Sequence, residues 1–550
     1  MFVKIKKNSE LIVEGKVDRI DSSAKSIFVF NSPCSWKTVN LSSEDIALSH
    51  NNLAYKFADS CVLSIDHGNN KLYFSRDIPG NSMVYYAYSS NTETHLISDS
   101  ILKILQECND FTIDFKRTML FLNNRKHYHL NTAFKNVEIL LPGFGILIDL
   151  ASLSINAFNW YDFMQPIKRM SLSEAANHYR ESIDNSIREY VDTDRKTALM
   201  FSGGSDSALL LERMVAIGIK DLTLFHVKIK GKETEYSRAL RTARHFNTEF
   251  ITIEIDPDQI VVPWFEKLKK CYICLSDVRY DGMFAASTEI YKHLREKYGA
   301  EQINVVWGLQ HSIAAPGISI RLLLKNILLF LAIYLKSKIN FEKVNRFVNR
   351  RVFSSLNIDS NNSPAEQLTV LHNYVSQYLN TTSRLSQLIN LKILFSNARK
   401  KEFSIERQNF LANELYPECR NIFPFYSRRH QEENLNLSIL ARLGGIKGLL
   451  KGTRSYKSLT LRAFQTSISA EYLIGGTKAA LKSWRETLQT EHLYHRFRDF
   501  FAENASDIKP YSDIVGESIE SYEKFKVSSN LKIELLTGLV MLLAKKQLKE

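Results

Sequence analysis

Up to about Phe163 the chain alternates short runs of β-branched and aromatic residues with turn residues. Ser26-Ile-Phe-Val-Phe30, Cys61-Val-Leu-Ser-Ile-Asp66, Lys71-Leu-Tyr-Phe-Ser75 and Val84-Tyr-Tyr-Ala-Tyr88 read as strands. Asp66-His-Gly-Asn-Asn70 and Pro79-Gly-Asn81 read as turns, because Gly, Asn, Asp and Pro supply the backbone dihedrals a turn needs. Leu141-Pro-Gly-Phe-Gly-Ile-Leu-Ile-Asp149 predicts one more turn and strand. The region is therefore expected to be mainly β, with a helix near Ser98–Gln106.

After Met170 the period changes. Ser171-Leu-Ser-Glu174 is a capping-box pattern and opens a helix running towards Tyr190. Strands are then expected at Thr197–Phe201, Leu222–Ile229 and Phe250–Ile255, with a final one at Ile303–Gly308. Helices are expected at Ser207–Gly218, Glu233–Phe246 and Met283–Lys297. Such βα alternation implies a parallel sheet with helices on both faces. From Ile318 onward the pattern is helical, with a polar interruption at Asn357–Pro364. Two domains follow, at residues 1–165 and 170–550, the second enlarged by helices.

A length of 550 residues, 44% hydrophobic and 24% charged, allows a sizeable core and excludes wholesale disorder. The net charge of +13 leaves open a solvated basic surface, an anionic substrate, a nucleic acid or an anionic membrane surface. Six scattered cysteines fit a reducing compartment better than a disulfide framework. The first ten residues carry no apolar signal region, so a cytoplasmic protein is expected. Ile318–Leu335 contains Arg321, Lys325 and Asn326, and Leu535–Ala544 is too short to span a bilayer; both read as buried helices.

The chemistry concentrates in Phe201-Ser-Gly-Gly-Ser-Asp-Ser207, between a strand and a helix. Gly203 and Gly204 let the backbone approach phosphate oxygens, while Ser202, Ser205 and Ser207 offer hydroxyls. The following helix adds its N–H groups and the positive end of its dipole. Asp206 would repel a phosphate unless a cation lay between them, which makes it a candidate Mg²⁺ ligand. The spacing is not that of a Walker loop.

The Ser202–Ser207 stretch resembles the PP-loop of the ATP pyrophosphatase superfamily, and more of the chain resembles its asparagine synthetase-like branch. Ser75-Arg-Asp-Ile-Pro-Gly80 with Val84-Tyr-Tyr86, and Leu141-Pro-Gly143, are similar to segments of that family's glutaminase-type domain. Glu233–Arg244, Phe423-Pro-Phe425 and Lys457–Lys478, with Leu461-Arg462 inside it, are similar to later segments in the same order. The resemblance implies an α+β Ntn-hydrolase-like sandwich, then an α/β PP-loop sheet with a large helical extension. It implies ATP and Mg²⁺ as cofactors, with ATP held by Ser202, Gly203, Gly204, Ser205, Asp206, Ser207, Val227 and Gly308. It implies the metal on Asp206, catalytic roles for Lys478 and Glu342, and pyrophosphate contacts from Lys478 and Arg428, with Arg429 beside it.

The departures narrow the function. Family glutaminases carry a nucleophilic cysteine directly after the initiator Met, and this chain has Phe2 there. β-Lactam synthetases and lasso-peptide macrolactam synthetases also keep the domain without that cysteine, taking the amine from the substrate. Aligned on Gly308, a family metal-holding Asp becomes Ser312, near Gln310 and His311, and Leu309 stands where β-lactam synthetases carry a Tyr. The expected function is an adenylate-forming amide ligase without glutaminase activity, acting on a small-molecule or peptide carboxylate. A peptide macrolactam or other specialised metabolite is the expected product, made beside a companion protease or biosynthetic enzymes. Asparagine synthesis, a polysaccharide amidotransferase, a tRNA-modifying enzyme using Cys271 and Cys274, and a non-catalytic nucleotide-binding protein remain alternatives. The phosphate loop makes a nucleic-acid partner the weaker reading of the charge. His226 and His245 read as structural.

Overall fold

The computed structural model describes residues 1–6, 10–30, 41–78, 83–110, 112, 132, 134–162, 166–230, 235–256, 283–308, 405–435, 437–438, 441, 458–465 and 491–509. The amino-terminal region contains β1 (Phe2–Lys6), β2 (Leu11–Glu14), β3 (Val17–Asp21), β4 (Lys25–Phe30) and α1 (His50–Lys56). β5 (Cys61–Asp66), β6 (Lys71–Ser75), β7 (Tyr85–Ser89), β8 (Thr94–Ser98) and α2 (Ile101–Cys108) follow. β9 (Val137–Ile139), β10 (Phe144–Asp149) and β11 (Ile155–Asn159) complete it.

These strands form two antiparallel sheets, ordered β2-β1-β8-β7-β9 and β11-β10-β6-β5-β4-β3. Alternating residues face opposite sides of a strand, so each sheet has one face to bury against the other. Val3, Ile5 and Ile97 of the first sheet meet Phe28, Leu63, Phe74 and Phe144 of the second in one core. The first sheet's other face contributes Phe2, Tyr85, Leu96 and Val137 to a different core, which it shares with the rest of the chain.

That part opens with α3 (Leu172–Tyr190), whose capping box forms as the sequence predicts: Ser171 N–H donates to Glu174 Oε2 (2.8 Å), and Glu174 N–H donates to Ser171 Oγ (3.3 Å). Then come β12 (Thr197–Met200), α4 (Ser205–Ile217), β13 (Leu222–Ile229), α5 (Tyr236–His245), β14 (Glu249–Ile255), α6 (Met283–Tyr298) and β15 (Ile303–Trp307). Residues 405–415 are helical and lead to β16 (Cys419–Ile422), α7 (Arg428–Leu435), α8 (Ser458–Ala463) and α9 (Glu491–Glu503).

The third sheet is parallel throughout, in the order β14-β13-β12-β15-β16. Phe225 touches Tyr298 of α6 and the next residue, His226, touches Tyr236 of α5, so these two helices cover opposite faces. β16 corrects the sequence expectation that Ile303–Gly308 is the final strand. Its middle residues, Arg420 and Asn421, are polar, so no apolar run announces it. Asn421 is nevertheless buried, because its Oδ1 accepts from Trp307 Nε1 and Tyr291 OH, each at 2.8 Å. Among the described residues no helix is long and apolar enough to cross a membrane. Ile318–Leu335 and Leu535–Ala544 lie outside them.

Candidate functional site

The chain runs from β12 outward to β13 and β14, then crosses back to β15 and β16 on the other side. The order therefore reverses between β12 and β15. Open parallel sheets take ligands outside the carboxyl ends of their strands at such a switch point. The Ser202–Ser207 stretch leaves the carboxyl end of β12, and Gly308 follows the carboxyl end of β15.

Two features give the stretch the shape of an anion cradle. Gly203 has φ +74°, in the left-handed region that glycine enters at no steric cost. A Cβ there would stand 2.9 Å from Ala239 Cβ and 3.0 Å from Ala239 Cα and N, so α5 presses directly on the loop. Gly204 is the N-cap of α4 and makes no side-chain cap. Gly204 thus has no side chain to cap α4 in the way that Ser171 caps α3, and a helix N-terminus attracts anions.

Short contacts fix the loop internally. Ser202 Oγ accepts from Gly204 N–H at 3.2 Å and lies 3.2 Å from Ser207 Oγ, which donates to the Gly204 carbonyl at 3.1 Å. Ser205 and Ser207 are buried, whereas Ser202 is exposed and Gly204 and Asp206 are half-buried. Of the three predicted hydroxyls, Ser202 is therefore the accessible one. Asp206 stands in the first turn of α4, with Ser205 Oγ 3.3 Å from its Oδ1. One carboxylate beside a phosphate cradle suits Mg²⁺, which uses one or two carboxylates plus phosphates. Among the described residues no group of three or more His, Cys, Asp or Glu could hold a metal by itself.

Gly308 closes the cradle's other wall: a Cβ there would stand 3.1 Å from Ser207 Cα and Cβ. Val227 lies on β13 just past the point where β12 stops pairing with it, opposite Ile253 of β14. Loop, Val227 and Gly308 thus share one edge on three adjacent strands. Arg428 begins α7, beyond β16 at the same edge. Its guanidinium is engaged with Glu432 at 3.1 Å and the Tyr55 carbonyl at 3.3 Å. Arg429 is exposed and pairs with Glu433 at 2.8 Å. Lys478, Glu342, Ser312, Cys271 and Cys274 lie outside the described residues.

His226 was legible only as a buried histidine. It is 2% exposed, its Nδ1 is 2.9 Å from the Phe201 carbonyl, and burial lowers its pKa. Ala239, the small residue that admits the loop, carries no signal in the sequence beyond its size. A separate cavity of about 690 Å³, lined by Lys196, Thr223, Glu249, Lys297 and Tyr298 among others, opens at the amino ends of β12 to β14, the edge opposite the loop.

None of the curated proteins matched the chain. An NMN synthetase from Francisella tularensis is 16% identical, with 25% of this chain and 54% of that one covered and a TM-score of 0.18. An NH3-dependent NAD synthetase from Campylobacter jejuni is 14% identical, covering 42% and 97%, TM-score 0.21. A glutamine-dependent NAD+ synthetase from Acinetobacter baumannii, in complex with ADP, is 14% identical, covering 37% and 45%, TM-score 0.18. The chain thus spans about half the length of the first and third of these, and TM-scores this low carry no weight for fold or function. The model of the asparagine synthase family, by contrast, matches residues 178–300, which run from within α3 through α6 and include the whole Ser202–Ser207 stretch. Within that segment the chain is similar to the asparagine synthase family.

Proposed function

We propose that the protein is an ATP-dependent, adenylate-forming amide ligase that has no glutaminase activity of its own. The observation that carries this reading is the uncapped Gly203–Gly204 turn at the switch point, inside a segment matching the asparagine synthase family. A carboxylate and an amine do not condense unaided in water. In the proposed reaction a carboxylate oxygen attacks the α-phosphorus of ATP, the bond from that phosphorus to the bridging oxygen of the β-phosphate breaks, and pyrophosphate leaves. An amine then attacks the acyl carbon, AMP departs with the electrons of the C–O bond, and the nitrogen releases a proton.

The loop's part is positioning and charge stabilisation, the two largest contributions in phosphoryl-type chemistry. Backbone N–H groups at Gly203 and in the first turn of α4 would hold phosphate oxygens, and Ser202 would add a hydroxyl. Asp206 would hold Mg²⁺ together with the phosphates, and the ion, when bound, supplies neutralisation of their charge. Val227 and Gly308 would flank the adenosine. Lys478 and Glu342 are proposed as the catalytic pair and Lys478 as a pyrophosphate contact. For Arg428 the same role requires it to release the Tyr55 carbonyl.

Position 2 supports the missing glutaminase. Phe2 is 3% exposed and its ring belongs to the core shared with α3, so no nucleophile stands there. The Ntn-like assignment of the two antiparallel sheets belongs to the same reading. The acceptor amine would come from the substrate or from free ammonia, with peptide macrolactam or other specialised-metabolite synthesis as the favoured use.

The test is product analysis with ATP and a panel of carboxylate substrates. Pyrophosphate and AMP released only with a productive carboxylate are expected; ADP and phosphate in their place overturn the reading. Release of glutamate from glutamine by the purified protein overturns the inactive-glutaminase part alone.

A further inference from the structure

We infer that His226 is the residue that sets the phosphate loop, by donating from Nδ1 to the Phe201 carbonyl at the point where β12 and β13 part. The inference rests on the reading of this loop as the nucleotide site. The ladder between the two strands ends at the pair Met200 and Phe225. One more backbone bond follows, from Phe201 N–H to the Phe225 carbonyl at 2.8 Å. β13 continues to Ile229 alongside β14, while the other chain turns off into Ser202. The Phe201 carbonyl is thus the first acceptor beyond the ladder, and the His226 imidazole reaches it at 2.9 Å. A side chain extends the sheet by one hydrogen bond and fixes where the backbone leaves it.

The imidazole is well held. It is 2% exposed, stacks on Phe250 with ring centroids 5.7 Å apart, and meets Tyr236 at 5.8 Å. Its acceptor is a carbonyl, so Nδ1 must carry the proton and Nε2 keeps its lone pair. Nε2 is buried and has no partner among the described residues. A buried acceptor left unsatisfied opposes folding, so the ring's polarity is retained at a cost, and the bond to Phe201 is what offsets it. A phenylalanine would fill the same space between Phe250 and Tyr236 without that cost, and without the bond. Tyr236 and Ala239 both belong to α5, so the helix that presses on Gly203 also packs on the imidazole that holds Phe201. His226 therefore acts through the loop and touches no reacting atom; it is a positioning residue.

The experiment compares full-length wild type, His226→Phe and His226→Asn by titration with Mg·ATP, and reads the imidazole of wild type by nitrogen NMR after histidine-selective labelling. Asparagine places an amide donor close to where Nδ1 sits; phenylalanine keeps the ring and removes the donor. His226→Phe is expected to bind ATP ~10-fold more weakly and His226→Asn within ~3-fold of wild type, the scale of one hydrogen bond lost or kept. A purely structural ring would give the reverse order, since phenylalanine preserves packing better. The NMR spectrum is expected to show the Nδ1-protonated tautomer. Wild-type affinity in His226→Phe, or an Nε2-protonated ring, overturns the inference. Should wild type bind no ATP, the proposed function fails, and the tautomer alone then decides whether His226 holds Phe201. Should His226→Phe not fold, His226→Asn and the tautomer decide.

Discussion

Gly203→Ala tests the loop most directly, because the structure supplies its own control at Gly218. Both glycines have positive φ, +74° and +85°. At either position an alanine bears the left-handed penalty, ~1–2 kcal/mol. At Gly218, the C-cap of α4, a new Cβ has nothing within 4 Å, so that penalty is the whole effect. At Gly203 the new Cβ would lie 2.9–3.0 Å from Ala239, two of the three nearest atoms being backbone. Carbon atoms in contact prefer ~3.5–4.0 Å, so a large part of an ångström must be recovered by moving either the loop or α5. Overpacking of that kind costs ~1–3 kcal/mol. The loop is the lighter body, so the strain is expected to relax there in the free protein and to be restored when phosphate binds. A restored strain of ~2–5 kcal/mol weakens ATP binding roughly 30-fold to 4,000-fold. Calorimetric titration of wild type, Gly203→Ala and Gly218→Ala with Mg·ATP measures this, with circular dichroism to verify the fold. Gly218→Ala is expected to lose stability and keep wild-type affinity. A folded Gly203→Ala that binds ATP within threefold of wild type would refute the cradle.

Four other outcomes follow. Asp206→Ala is expected to remove most of the Mg²⁺ dependence of ATP binding; titrations with Mg²⁺ and with EDTA that still differ as in wild type count against the metal assignment. Gly308→Val, whose branches must enter the space of Ser207 Cα and Cβ at 3.1 Å, is expected to weaken ATP binding at least ~10-fold, the effect of ~1.4 kcal/mol, with little change in melting temperature. Arg213→Met leaves Asp184 buried without the guanidinium that now contacts it at 2.7 and 2.8 Å, which is expected to cost ~3–5 kcal/mol in denaturant unfolding; Arg213→Met with Asp184→Leu is expected to recover most of it. Burial pushes His50 and His430 down to about 3 from an unfolded value of 6.5. Neither state binds these protons above pH 6.5, and below it only the unfolded chain does. Stability should therefore fall from pH 6.5 towards pH 3 by ~1.4 kcal/mol per pH unit for each histidine; a His430→Asn variant with the wild-type slope of stability against pH contradicts this.

Legibility in the sequence followed how local each determinant is. β5, β6 and β13 were readable because their own residues are β-branched or aromatic, and the α3 cap because Ser171 and Glu174 interact with each other. The loop was readable because its glycines answer a local backbone demand. β16 was not, since Asn421 is buried by Tyr291 and Trp307, both more than a hundred residues away in sequence. The role of His226 was equally hidden. It depends on where one parallel ladder stops, and that register is set by pairing between strands. The commitment of Arg428 to Tyr55 was hidden for the same reason: it joins residues at opposite ends of the chain.

That commitment bears on why a ligase without a glutaminase nucleophile would keep the antiparallel sheets. Tyr190 OH, at the end of α3, donates to Asp59 at 2.7 Å; Arg428 donates to the Tyr55 carbonyl; Tyr85 OH bonds Glu406. All three bonds connect the sandwich to elements that flank the parallel sheet, and α3 leads directly into β12 and the loop. The apolar contribution is larger. Phe2, Tyr85, Leu96 and Val137 share a core with Tyr179, Ile183 and Ile187 of α3, and exposing aromatic and aliphatic side chains of this size costs ~1.5–3 kcal/mol each. The face that joins this core, against which Ile101, Ile104 and Leu105 of α2 lie, is the opposite face of the same sheet from the one that meets Phe28, Leu63 and Phe74. Catalysis at the strand ends could therefore be lost while the packing of that face was preserved. On the proposed reading the sandwich persists as part of the core to which α3 belongs, and α3 leads into the strand from which the phosphate loop departs.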